Sequence, residues 1–422
     1  MIRTGLLAAL LLTATSAGAS ATEVAAVIKS QAYKTAVATL DREHERIVAD
    51  IVTLTEIPAP PFMETARATA YLAMLKATGL TDVEMDAEGN VMGLRRGTGP
   101  AGRPLIVIAA HLDTVFPEST PVKVRREGTR LLAPGIGDDS RSLAVLLGYV
   151  RALDAGKAKT AHDILFVGNV GEEGPGDLRG VRYLFTKGKY QGRIASFFSM
   201  DGTDGKRIVH QGVGSKRYRV TFKGPGGHSY GAFGLVNPMT AMSQAVTDLY
   251  EVEVPTIPKT TYAASVTGGG TSVNSIPDRV FMEFDMRSVS PQELGKLEAR
   301  FKSIVAAALD SENRARSTRE GSVTADLKLI GDRPAGSTAA TTPLVKLAQA
   351  AVAAHGLTPE LTASSTDANL PMSLGIPGIT IGSGGSGGRA HSLDVWIDVE
   401  KGASLKGMLP GLTMLLAAAD LK

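Results

Sequence analysis

Apolar and polar positions change rhythm twice along the chain. From Glu23 to about Leu54 the apolar residues recur at helical spacing, with Asp41, Arg42, Glu43, Glu45 and Arg46 on a charged face, which predicts helix. The break Ile57-Pro58-Ala59-Pro60-Pro61 ends that segment, and a second helix is predicted from about Glu64 to Leu80. Leu105 to Ala110 and Ile164 to Val170 are near-continuous apolar runs of strand length. Ser142 to Leu153, between them, reads as a buried helix. Such strands alternating with helices predict an α/β domain with a mainly parallel sheet and helices on both faces.

The middle of the chain alternates differently. Lys216 to Lys223 has the period of a strand with one wet face, Pro238 to Tyr250 is helical, and Thr261 to Val266 is a strand. Val280 to Arg287 is a further strand, Pro291 to Leu309 a long helix, and Val323 to Ile330 a last strand. That order, βαββαβ, is the ferredoxin-like unit. Afterwards the first rhythm returns, with a helix from about Pro343 to His355, a strand Gly378 to Ile381 and a helix from about Leu405 to Leu421. The expected architecture is one α/β domain, residues 20–213 and 333–422, interrupted by an inserted domain over 214–332. Glycine-bearing segments near 212–214 and 331–336 flank the insert and are its expected hinges.

Composition narrows the function classes. The 422 residues suit two or three domains, and 43% hydrophobic with 21% charged residues excludes wholesale disorder. Lys+Arg 45 against Asp+Glu 42 is a near-balance, a formal net charge of +3, which argues against a nucleic-acid partner. Cysteine is absent, so disulfides and cysteine nucleophiles are excluded, and any metal must be held by His, Asp and Glu. Arg3, the apolar run Leu6 to Leu12 and the small residues Ala17-Gly18-Ala19 read as a leader over residues 1–19. The expectation is export, to the periplasm or beyond the cell. No other stretch approaches the ~20 apolar residues of a spanning helix, so no membrane contact is expected after leader cleavage.

The unusual residues cluster where predicted strands end. His111-Leu112-Asp113 follows the first apolar strand, and strand alternation puts His111 and Asp113 on one side, so the carboxylate can orient the imidazole. Gly137-Asp138-Asp139-Ser140 precedes a helix, Gly171-Glu172-Glu173-Gly174 follows the second strand, Asp201 ends a third, and Ala390-His391-Ser392 follows a glycine loop. Ligands of open α/β sheets bind outside the carboxyl ends of the strands. Two histidines and several carboxylates there suit zinc.

In this order and spacing, HLDTV, GDDS, GEEG, MDG and AHS resemble the di-zinc metallopeptidase family of peptidase T, carboxypeptidase G, carnosinases, aminoacylase and succinyl-diaminopimelate desuccinylase. The resemblance covers nearly all of the chain after the leader and is closest to peptidase T-like members. It implies two Zn2+ per chain, with Co2+ or Mn2+ as substitutes. Asp138 would bridge the ions, His111 and Asp201 would complete one, and Glu173 and His391 the other. Asp113 would orient His111, and Glu172 would be the general base. Ser140 stands where many members carry a basic residue.

In the insert the resemblance implies a lid and dimerisation domain. His228, in Gly226-Gly227-His228-Ser229, would stabilise an oxyanion, and Asn274 and Arg287 would clamp a substrate carboxylate. The implied activity is hydrolysis of an amide bond in di- or tripeptides, in the manner of an aminopeptidase, by a homodimer. Alternatives are an N-acyl amino acid amidohydrolase, a carboxypeptidase-like glutamate-releasing enzyme, and an inactive binding protein of the same fold. His44, His162, His210 and His355 have no expected role. Gly382 to Gly387 matches G-x-G-x-x-G after a strand, but no βαβ unit follows, so a loop delivering His391 is the expectation.

Overall fold

The computed structural model describes residues 20–422. The leader lies outside the described residues, and no described helix is long and apolar enough to cross a membrane. The described residues begin with three helices, α1 (20–29), α2 (Gln31–Arg42) and α3 (His44–Thr55), where periodicity predicted one continuous segment. The breaks have local causes. Ser30 leaves helical geometry and caps α2 by accepting from the Tyr33 amide at 3.1 Å, and Glu43 adopts a non-helical turn before α3.

Helix α4 (Thr65–Lys76) follows the proline segment, and then come β1 (Thr81–Met85), β2 (Val91–Arg95) and β3 (Leu105–His111). The hairpin β4 (Arg125–Glu127) and β5 (Arg130–Leu132) leads to α5 (Arg141–Ala155), β6 (Asp163–Asn169), α6 (Arg179–Thr186), β7 (Ile194–Met200) and β8 (Arg207–Gly212). The next elements are β9 (Gly214–Lys223), β10 (Gly227–His228), α7 (Pro238–Tyr250), β11 (Thr260–Gly269) and β12 (Ser275–Ile276). After these come β13 (Arg279–Ser288), α8 (Pro291–Ala315), β14 (Thr324–Arg333) and β15 (Gly336–Ser337). The chain closes with α9 (Pro343–Ala354), β16 (Glu360–Ser364), α10 (Asn369–Ser373), β17 (Gly378–Ile381), β18 (Ser386–Gly388), β19 (Trp396–Asp398) and α11 (Lys401–Ala418).

Two compact units result: the residues up to Gly212 together with Ser337–Lys422, and Val213–Gly336. The first holds a mixed sheet in the order β1-β2-β6-β3-β7-β17-β8, with β16 also on β8. Its centre is parallel: β3 pairs in parallel with β6 and β7, and β17 with β7. The hairpin β1–β2 and the β8–β17 pairing are antiparallel, which the sequence reading did not foresee. β3 and β6 are buried along their whole length, as strands covered on both faces must be. Gly148, inside α5, is explained by packing: a Cβ there would lie 2.9 Å from Ile47 and 3.4 Å from Leu40, so glycine lets α2 and α3 close on α5.

The second unit is a four-stranded antiparallel sheet, β11-β13-β9-β14, with α7 and α8 packed on it: the ferredoxin-like arrangement expected. Its core is Val220, Phe222, Val280, Phe284, Met286, Leu297 and Phe301, the inward alternation of the strands meeting the apolar faces of the helices. Ser290 caps α8 through its hydroxyl, and Pro291 opens the helix at a position where no backbone donor is needed.

Candidate metal centre

Parallel strands end on the same side of a sheet. The register pairs His111 with Asn169 and Ile381 with Met200, so the segments after β3, β6, β7 and β17 all emerge at one edge. His111 closes β3 and is 2% exposed. Glu172 and Glu173 follow β6 and Asp201 follows β7. The glycine loop after β17, with Gly384 and Gly385 at positive φ, leads through β18 to His391. No helix follows that loop directly, so it is not a dinucleotide turn.

Asp138 lies at the middle of the cluster. Its Oδ1 is 2.9 Å from His111 Nε2, and its Oδ2 is 3.2 Å from His391 Nε2. His391 Nε2 is also 3.2 Å from Glu173 Oε1. Three groups bring their ligand atoms within 4.8 Å of one another: Asp138 with Glu173 and His391, His111 with Asp139 and Asp201, and His111 with Glu172 and Glu173. All five sequence-predicted ligands and the predicted base are therefore brought together.

Asp113 is placed where expected but acts differently. The His111 Nδ1–H donates to the Asp113 backbone carbonyl at 3.0 Å, while the nearer carboxylate oxygen is 3.7 Å away. The carboxylate instead accepts the amides of Glu172 at 3.0 Å and Glu173 at 2.7 Å. It thus fixes the turn that carries both glutamates. Asp139, given no role from sequence, is fully buried and accepts the His111 amide at 3.0 Å. The adjacent acid pair was its only sequence signal. Asn169 and Asp367 form a second buried pair, with the amide donating to the carboxylate at 2.8 Å; Asp367 lies in a polar run that the sequence reading passed over.

Burial raises the cost of every ionised acid here. It pushes Asp139 well above the usual carboxylate range, and with the nearby Asp138 charge it takes Asp201 up to about 6. Burial acts the same way on Asp138, but hydrogen bonds from His111 and His391 outweigh it and hold that carboxyl below its ordinary value. Hydrogen bonds to Asp138 and Glu173 carry His391 up to about 10. Burial lowers His111, yet Asp139 and Asp138 more than reverse it. Two imidazoles facing a larger set of carboxylates, all oxygen and nitrogen with no sulfur, form a donor set for divalent cations of borderline hardness.

In the second unit β10 pairs with β12, and the Ser229 amide donates to the Asn274 carbonyl at 2.9 Å, which sets His228, on β10, near Asn274, the residue before β12. His228 Nδ1 accepts the amides of Tyr230 and Gly231 at 3.2 and 3.3 Å. In the neutral ring that leaves the proton on Nε2, as a donor. Arg287, on β13, has its Nε on Asp285 at 2.6 Å, and Asp285 also takes Arg217 from the next strand at 3.0 Å.

An α/β sheet carrying this acid–imidazole cluster at its carboxyl edge defines a hydrolase of the metallopeptidase class. The chain belongs to peptidase family M20/M25/M40, whose profile matches residues 107–419. Among solved structures it is similar to the aminopeptidase PepT from Bacillus cereus, at 20% identity and a TM-score of 0.70 over 89% of this chain and 99% of that one. It is also similar to Bacillus subtilis YXEP, described as a dinuclear metal binding peptidase, at 18% identity and a TM-score of 0.63 over 89% and 99% of the two chains. An amidase of the hydantoinase/carbamoylase family from Burkholderia vietnamiensis matches at 18% identity with a TM-score of 0.65 over 89% and 97%.

Proposed function

We propose that the protein hydrolyses an amide bond in peptides of two or three residues, cleaving from the amino end, with two zinc ions at the Asp138 cluster. The observation that carries the two-ion part of this reading is the one carboxylate turning each of its oxygens to a different histidine, as a ligand shared by two ions would; the peptide substrate rests on the peptidase family and neighbours. His111 and Asp201 would hold one ion, and Glu173 and His391 the other. Bound there, the ions would supply Lewis acidity, making a water more acidic and polarising a carbonyl.

The remaining steps belong to the chain. Glu172, buried beside His111 and Glu173, accepts the proton from the attacking water and returns it to the leaving amine. Asp113 holds its backbone during that exchange. By the family resemblance His228 would be the group that stabilises the developing oxyanion. Asp285 takes Nε of Arg287; by the family resemblance Arg287 and Asn274 would grip a substrate carboxylate, which favours short substrates.

The amidase neighbour supports a second reading, hydrolysis of N-acyl amino acids. A screen of free-amino tripeptides against N-acetylated and N-succinylated amino acids, with and without chelator, separates the two. Cleavage of the free tripeptides, abolished by chelator and restored by zinc, is expected. Cleavage of only the blocked compounds would overturn the peptidase reading, and chelator-resistant cleavage would overturn the metal.

The second unit also supports a homodimer. β11 is an edge strand of ten residues, TTYAASVTGG, without a charge or proline, and Val266 on it is exposed. Native edges of that length are usually blunted by lysine or proline. Pairing β11 with its copy would continue the sheet across two subunits. Sedimentation should give a dimer for the wild type and a monomer for Val266→Lys; a wild-type monomer sinks the idea.

A further inference from the structure

Arg67 is a buried cation that the chemistry above does not use. It is the third residue of α4, at the end of the helix where the dipole opposes positive charge, and it is 0% exposed. Burial draws its pKa down to about 10 while Asp113 and Asp139 act the other way, so it stays charged at neutral pH. Its position in the first turn and its burial both disfavour a cation here, and its contacts show what it gains.

Every hydrogen bond it makes goes to a backbone carbonyl. Nε and Nη2 both donate to Ile57, at 3.0 and 2.6 Å, with a marginal contact from Nη2 to Thr55 at 3.5 Å. Nη1 donates to Leu112 at 2.9 Å. Leu112 is the residue between His111 and Asp113, and Ile57 opens the proline segment. The same turn is tied at its other polar groups. The His111 amide goes to Asp139, the Leu112 amide to the Asn169 carbonyl at 2.7 Å, and the Thr114 amide to Ala59 of the proline segment at 2.9 Å. Arg67 takes the Leu112 carbonyl and closes this set.

We infer that Arg67 is a positioning residue for the metal centre. Its planar fork locks the Leu112 peptide to the proline segment. That lock fixes the His111 ring on one side and, on the other, the Asp113 carboxylate that holds the amides of Glu172 and Glu173. The inference rests on His111 being a metal ligand, not on any choice of substrate.

The test uses cobalt-loaded protein, read by its visible absorption, by chelator competition for affinity, and by kcat and KM. Arg67→Lys keeps the charge but not the fork. It should fold, with an unchanged circular-dichroism spectrum, and bind cobalt roughly 10–100-fold more weakly, the usual worth of groups that orient ligands. Its absorption band should shift, and kcat should fall by a similar factor with KM changed by less than about threefold. Arg67→Met should move every quantity further in the same direction. Arg67→Lys with wild-type cobalt affinity and absorption would overturn the role, and so would a lysine variant unable to fold, which would place Arg67 in the core alone. Wild-type protein that binds no cobalt would instead overturn the metal reading on which this role depends.

Discussion

Glu172→Gln is expected to lower kcat by roughly 10²–10⁴ while leaving metal content unchanged, the range in which a positioned general base contributes. The two neighbouring glutamates are set by one device, the Asp113 carboxylate that accepts both of their amides. Their side chains nevertheless meet different partners. Glu173 lies against His391, whereas Glu172 groups with His111 and Glu173. Glutamine is isosteric and keeps the turn intact, so what is lost is a group able to take a proton. The companion change, Glu173→Gln, should weaken metal binding, and activity should return as metal is added. Metal analysis beside steady-state kinetics decides the matter: if Glu172→Gln loses metal and Glu173→Gln keeps it, the two roles are exchanged.

Asp138→Asn should have the larger consequence. An asparagine offers one acceptor oxygen and one amide that can only donate, so a side chain that faced two histidines with two acceptors can serve only one. Bound metal should fall from two ions to one or fewer per chain, and activity should fall by roughly 10³-fold or more, since a bimetallic site needs both positions for attack and carbonyl polarisation. The fold should persist because Asp138 sits at the sheet edge and outside the apolar core. Retention of two ions with turnover within about tenfold of wild type would remove Asp138 as the bridge.

The strand ends were readable from the sequence because two signals coincide there. A near-continuous apolar strand such as Leu105 to Ala110 that runs into His111 and Asp113 marks a strand end carrying polar groups, and parallel strands must finish together. What escaped reading depends on distance, not pattern. The i,i+2 spacing of His111 and Asp113 suggested a carboxylate–imidazole bond, yet the backbone carbonyl is closer and leaves the carboxylate for the glutamate turn. Arg67 looked like one more polar residue on a helix, because its partners are carbonyls ten and forty-five positions away and carry no side-chain signature. The breaks at Ser30 and Glu43 were equally hidden. The apolar period runs on through both, and only the Ser30 cap and the Glu43 turn interrupt it. Asp285 and Arg287, by contrast, share a face of β13 at i,i+2, so their pairing could have been read from the strand pattern alone.

The sheet order also fixes a schedule for folding. β17 lies between β7 and β8 and pairs with both, yet it is made long after them, with the whole second unit in between. A nascent chain halted before Gly378 therefore has two of its strands facing a gap, with apolar residues such as Phe198 and Ile208 deprived of their neighbour. The second unit, whose strands and helices are contiguous in sequence, can form while the ribosome is still working. The larger unit pairs residues far apart along the chain and must wait, which is the slower route to a native state. The proposed metal ligands are divided in the same way, since His391 arrives last, so binding competence and completion of the sheet would come together.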